Sequence, residues 1–177
     1  IRAIESGLVD EMLGLLTVSE AYLRKNQNMT LDQAIDVAGD CFKLSEKAGI
    51  QFVMAMGVAF FCPYQGVISD DATLNVVNKL YEKGIRRLYL AASTGMENPL
   101  HINRVFTRVL DQWPDIELGF HMHERTGMAA ANMFAALNAG ATSVEGSICG
   151  IGGGIVMPGG MGDIGNIPTE DIVNMLN

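Results

Sequence analysis

Apolar residues in this chain come in two alternating rhythms. Short apolar runs, typical of strands buried on both faces, cover residues 11–18, 50–58, 86–92, 116–123 and 142–147. Between them, apolar positions recur at helical spacing and the ends carry helix punctuation. Thr30, with Gln33 three residues on, makes a capping box for a helix over 30–48 that stops at Gly49. Ser69 caps a helix over 69–83 closed by Gly84, and Pro99 opens one running to Trp113 before Pro114 stops it. Residues 128–138 form an alanine-rich helix closed by Gly140, and Pro168 starts a last helix. Residues 2–7 read as a helix end with its glycine cap, and 19–26 as a loop or short helix. Residues 60–66 and 93–98 read as loops, and 150–165 as a long glycine-rich one.

Five strands each followed by a helix, in units of about 30 residues, predict an α/β fold with a parallel sheet, right-handed crossovers and helices outside. Two arrangements fit: an open doubly wound sheet, or part of a (βα)8 barrel, since a full barrel takes about 250 residues. In both, function gathers at the carboxyl ends of the strands. Ser19, Cys62-Pro63-Tyr64, Ser93-Thr94, His121, His123 and the glycine-rich loop all fall there.

Composition narrows the partners. The chain has 177 residues, 49% of them hydrophobic, enough for one sizeable core and one domain over 1–177. A net charge of −8 argues against nucleic acid and anionic membranes as partners. No apolar run reaches the ~18 residues that span a bilayer. Cys41, Cys62 and Cys149 are widely spaced and odd in number, so they suggest neither a disulfide framework nor a zinc site. The expected compartment is reducing, the cytoplasm or the mitochondrial matrix.

His121 and His123 carry the strongest chemical signal. Residues i and i+2 of a strand share a face, about 6 to 7 Å apart at the backbone, so both imidazoles can converge on one divalent metal. The bland alternative is two packed histidines without a ligand. His101, at the start of the helix after Pro99, reads as a surface histidine, and residues 82–87 as a solvated helix end.

The run His121-Met122-His123-Glu124-Arg125-Thr126-Gly127, followed by Ala131-Asn132, Gly140-Ala141, Gly150-Ile151-Gly152-Gly153, Gly165-Asn166 and Thr169-Glu170-Asp171, resembles the 3-hydroxy-3-methylglutaryl-CoA lyases of the DRE-TIM metallolyase superfamily. Cys62-Pro63-Tyr64-Gln65-Gly66 and Ser19-Glu20 with Lys25-Asn26-Gln27-Asn28 resemble them too. The resemblance implies a TIM barrel of which this chain covers an incomplete stretch, the third to seventh βα units. It implies a retro-Claisen cleavage of a 3-hydroxyacyl-CoA to acetyl-CoA and a keto product, assisted by Mg2+ or Mn2+. Metal ligands are implied at His121, His123 and Asn166, and catalytic roles at His121 and Tyr64. Substrate or lid roles are implied at Ser93, Gly152, Gly153, Gly154 and Glu170. A homo-oligomer is expected, because a partial barrel exposes sheet edges and apolar surface.

Several positions depart from the family. Its aspartate ligand and neighbouring arginine belong to a first strand that lies before this chain's start. Its cysteine after Gly-x-Gly-Gly is Gly154 here, and Cys149 reads as a buried thiol in preference to a substitute acid. Its Asp-Thr reads Ala92-Ser93, its Asp after His-x-His reads Glu124, and the loop before Asn166 is longer and more apolar. A larger, more apolar acyl group fits these changes. Two other readings stay open: an aldolase or Claisen-type synthase of the same superfamily acting on a 2-oxo acid, and a catalytically inactive structural subunit.

Overall fold

The computed structural model describes residues 2–153 and 164–177. Helix α1 (Arg2–Ser6) precedes strand β1 (Glu11–Thr17), and α2 (Glu20–Gln27) and α3 (Leu31–Ala48) lead to β2 (Gln51–Gly57). A small hairpin, β3 (Phe61–Cys62) and β4 (Gly66–Val67), precedes α4 (Asp70–Glu82) and β5 (Arg87–Ala92). Then come α5 (Pro99–Gln112), β6 (Glu117–Glu124), α6 (Ala129–Asn138) and β7 (Ser143–Glu145). A 3-10 turn (Ile148–Gly150), β8 (Gly165–Asn166) and α7 (Thr169–Leu176) complete the order.

The local signals act as expected. The Thr30–Gln33 capping box is formed in both directions, and Gly49 ends α3 at φ 70°. Ser69 accepts from the Ala72 amide, and Asn98 from the His101 amide ahead of Pro99. Residues 19–27 resolve into a helix because Ser19 accepts from the Tyr22 amide.

Strand order decides between the two arrangements. The parallel strands lie side by side in chain order, β1-β2-β5-β6-β7. A doubly wound sheet reverses its order at a switch point; this sheet does not, and it forms an arc of a barrel. The even-numbered positions of β6 and β5 (Leu118, Phe120, Met122, Leu88, Leu90) face the helices and are buried with Ile102, Val105, Phe106 and Met133. Phe120 packs edge-on to Phe106 and Phe60. The odd-numbered positions face the concave side. There Leu13 and Leu15 of β1 are 59% and 52% exposed. Two large apolar side chains open to water on a strand predict that these residues expressed alone self-associate. Sedimentation velocity checks this, and a stable monomer would contradict it. Among the described residues, no helix is long and apolar enough to cross a membrane.

Two expectations need correction. Residues 82–87 are not simply solvated. Arg86 stacks over Tyr81 and bonds Asp115, while Arg87 reaches across the amino ends of the strands to Glu11, Gln51 and Glu117. His101 is 6% exposed. It shares the inward face of α5 with Ile102 and Val105, meets Phe60 edge-on, and has Nε2 3.1 Å from Asp70 Oδ1. Burial pushes its imidazole pKa down, and Asp70 is held at about 2, chiefly by its hydrogen bond from Arg104.

Candidate metal-binding active site

Strand β6 ends in the two histidines, and its pleat turns both to the concave face. Their Nε2 atoms lie 3.3 Å apart, with ring planes at 82°. Asn166 reaches the same place from β8, which pairs antiparallel with β6 in the register His123↔Asn166. Its amide nitrogen donates to the Ile151 carbonyl at 3.0 Å. That bond fixes the side chain and leaves Oδ1 buried, without a hydrogen-bond partner among the described residues. Gly152 makes this approach possible. At φ +122° it holds a conformation closed to most side chains, and a Cβ there would fall 2.6 Å from Asn166 Nδ2.

Burial, and then the neighbouring His121, lower the pKa of His123. Its imidazole is therefore neutral at physiological pH, the form that binds metals. His121 Nδ1 lies 3.1 Å from Glu145 Oε2. These groups pass a test of fit for a divalent cation. Two imidazole nitrogens face each other, and an amide oxygen with no partner among the described residues belongs to Asn166, in register beside His123; a mixed nitrogen and oxygen set of this kind accommodates Mg2+ or Mn2+. No cluster of three His, Cys, Asp or Glu among the described residues could hold a metal. The remaining positions would fall to water or substrate oxygens, as is usual for Mg2+.

The histidines open on a cleft of about 240 Å³ at the carboxyl half of the sheet. Leu13, Leu15, Ala55 and Ala91 give it one apolar wall; Ser93, His121, His123 and Glu145 give it one polar wall, and Gly153 lies at its edge. Ser93 is 4% exposed, and its Oγ accepts from the Val58 amide at 3.0 Å. Val58 is held at φ 45°, a costly conformation for a β-branched residue. With its oxygen engaged there, the Ser93 hydroxyl keeps a proton to donate. Behind this wall the loop after β5 is tied to the loop after β6: Thr126 Oγ1 donates to the Gly95 carbonyl, and Asn132 to that of Glu97. Glu124 accepts from the amides of Gly127 and Ala129, anchoring the turn into α6.

The structure thus lines one cleft with His121, His123, Ser93 and Gly153, and sets Asn166 in register beside His123 with Gly152 against its amide. Tyr64 packs 5.6 Å from the Tyr22 ring and under Lys25, and is not among the described side chains that line this cleft. The Cys62-Pro63-Tyr64 stretch acts as a brace, with Cys62 Sγ 3.0 Å from Ser19 Oγ and Ser19 donating to Gln65. Glu170 accepts from the Cys149 amide at 3.0 Å and so ties the 3-10 turn to α7. Cys149 is exposed, contrary to its reading as a buried thiol. The turn holds it at φ 55°, facing outward, and the Glu170 carboxylate raises its pKa, which keeps the thiol protonated. Gly154 lies outside the described residues, as does the loop to 163. Glu145 and the apolar wall of the cleft are what sequence reasoning missed; the signal for Glu145 was the period-2 spacing from Ser143 on an inward-facing strand.

Known proteins share this architecture. A hydroxymethylglutaryl-CoA lyase of Bacillus subtilis is 32% identical over 175 residues, 99% of this chain and 57% of that protein. The crystal structure of the Bacillus subtilis HMG-CoA lyase superposes with a TM-score of 0.88 at 31% identity, covering 99% of this chain and 59% of that one. An HMG-CoA lyase from Acinetobacter baumannii, solved with coenzyme A and 3-methylmalate, gives a TM-score of 0.87 at 31% identity over 98% of this chain and 55% of that one. The chain therefore spans a little over half the length of these relatives. The HMGL-like family model matches residues 2–177, and with this fold and this histidine pair the chain belongs to the HMGL-like family.

Proposed function

We propose that the protein carrying this chain is a divalent-metal-dependent carbon–carbon lyase. Its substrate would be a 3-hydroxyacyl-CoA like 3-hydroxy-3-methylglutaryl-CoA, cleaved to acetyl-CoA and a keto product. The observation that carries the proposal is the pair His121 Nε2 and His123 Nε2, 3.3 Å apart in the cleft, with Asn166 in register beside His123 and its Oδ1 buried without a partner among the described residues. A bound Mg2+ or Mn2+ would supply Lewis acidity, making the tertiary hydroxyl easier to deprotonate. Relatives named for this lyase activity, one of them solved with coenzyme A, support a coenzyme A thioester as the substrate class.

Cleavage needs the hydroxyl proton removed, the C–C bond broken and a proton delivered to the departing carbon. The chain's own side chains would divide that work. His123, kept neutral by burial, and Asn166 would hold the metal. His121 would hold it too and would lie closest to the proton in motion, with Glu145 behind it. The Ser93 hydroxyl would donate to a substrate oxygen, and Leu13, Leu15, Ala55 and Ala91 would take the apolar part of the acyl group. Gly152, without a side chain at φ +122°, would leave room for the Asn166 amide. We place the protein in a reducing compartment, in keeping with the free thiols of Cys41, Cys62 and Cys149.

The test is release of acetyl-CoA from 3-hydroxy-3-methylglutaryl-CoA by the full chain, with MgCl2, with MnCl2 and after chelation. Turnover that chelation abolishes and manganese restores is expected. Turnover that survives chelation, or none with this or any longer-chain 3-hydroxyacyl-CoA, would overturn the proposal.

A further inference from the structure

Glu145 stands behind the histidine pair with a geometry that sets which nitrogen of His121 carries the proton. Strand β7 pairs with β6 in the register His121↔Glu145, so the two side chains share the concave face. Glu145 Oε2 lies 3.1 Å from His121 Nδ1. That nitrogen is buried and has no aligned hydrogen bond among the described residues. The Glu145 side chain is 42% exposed, with its carboxylate oxygen within hydrogen-bond distance of that nitrogen. On the other side of the ring, Nε2 faces His123 Nε2 at 3.3 Å. A neutral imidazole has one N–H and one lone pair. An ionised carboxylate only accepts, so its presence at Nδ1 favours the proton there and leaves the lone pair on Nε2.

We propose that Glu145 is a positioning residue that holds His121 as the Nδ1–H tautomer and so turns its Nε2 lone pair to the cleft, ready for a divalent cation. Only that last step rests on the metal reading. Without the carboxylate, the proton can move to Nε2, where the His123 lone pair accepts it at 3.3 Å. The two rings then close on each other as a hydrogen bond and no longer present two free nitrogens.

The experiment uses the full chain with 15N-labelled histidine. Two-bond 1H–15N spectra of the metal-free protein report each ring's tautomer, with His121→Gln to assign the signals. The wild type is expected to show His121 protonated on Nδ1. Glu145→Ala shifts it toward Nε2–H, and Glu145→Gln, whose amide oxygen still accepts, keeps Nδ1–H. A parallel titration follows the electron paramagnetic resonance of free Mn2+. Glu145→Ala is expected to bind manganese about 10- to 100-fold more weakly, and Glu145→Gln only a few-fold. Thermal midpoints should not move, which separates positioning from folding. A Glu145→Ala protein with the wild-type tautomer, or with wild-type manganese affinity, would overturn the proposal. A wild type that binds no manganese would overturn the metal reading instead, and the tautomer of His121 alone would then decide the role of Glu145.

Discussion

Replacing His121 with alanine is expected to lower kcat for thioester cleavage by about 10³-fold, within the range that a positioned acid–base group contributes. The argument is geometric. His121 supplies one of the two imidazole nitrogens that face each other at 3.3 Å, and nothing else at that place among the described residues can stand in for it. The substitution also leaves Glu145 facing an empty space, but that carboxylate is half open to water, so the charge costs little. His121 is itself partly exposed, and its ring is not part of the buried core. The fold should therefore survive, and circular dichroism melting should give a midpoint near the wild type's. Steady-state acetyl-CoA release at saturating manganese, beside a manganese titration, separates lost binding from lost chemistry. Activity within tenfold of the wild type would contradict the assignment.

The second large effect is expected from Gly152→Ala. Gly152 is at φ +122°, and an added Cβ would lie 2.6 Å from Asn166 Nδ2. Either the loop or the amide must move. Because Nδ2 is bonded to the Ile151 carbonyl, moving it breaks that bond and swings Oδ1 out of the site. Manganese affinity should fall about 10- to 100-fold, the usual cost of disturbing the groups that orient a metal ligand. Asn166→Ala should produce a similar loss without the steric clash. The double variant should then be little worse than either single one, because both act through the same oxygen. Gly153→Ala is the control: no atom of the described residues lies within 4 Å of its would-be Cβ, so manganese affinity should hold. Additive losses in the double variant would show that Gly152 acts by some route other than Asn166.

The regular elements were legible because their boundaries carry local chemistry. Thr30 with Gln33, Ser69, Pro99 and Gly49 each terminate a helix by hydrogen bonding or backbone conformation alone, and the structure uses all four. The histidine pair was legible too, since a period of 2 puts both rings on one face in any strand. The arc of a barrel was not, because strand order depends on pairing between distant segments. Asn166 could be found only by resemblance: its approach depends on a two-residue strand and on the absence of a side chain at Gly152. Glu145 was hidden because its strand is three residues long and its inward aim is set by its neighbour β6. His101 misled because one rotation of α5 decides between surface and core, and its hydrophobic neighbours turned it inward against Phe60. Tyr64 was placed near the substrate by resemblance alone; the structure sets it against Tyr22 and Lys25, in a loop tied by the Ser19–Cys62–Gln65 contacts.

The central claim is that His121, His123 and Asn166 hold one divalent cation. Its most direct test is the anomalous difference map of a crystal of the full chain grown with MnCl2. One peak should lie between the two Nε2 atoms and Asn166 Oδ1, and it should vanish in crystals of the His121→Ala variant. No peak there at saturating manganese, or manganese held only by other side chains, would contradict it.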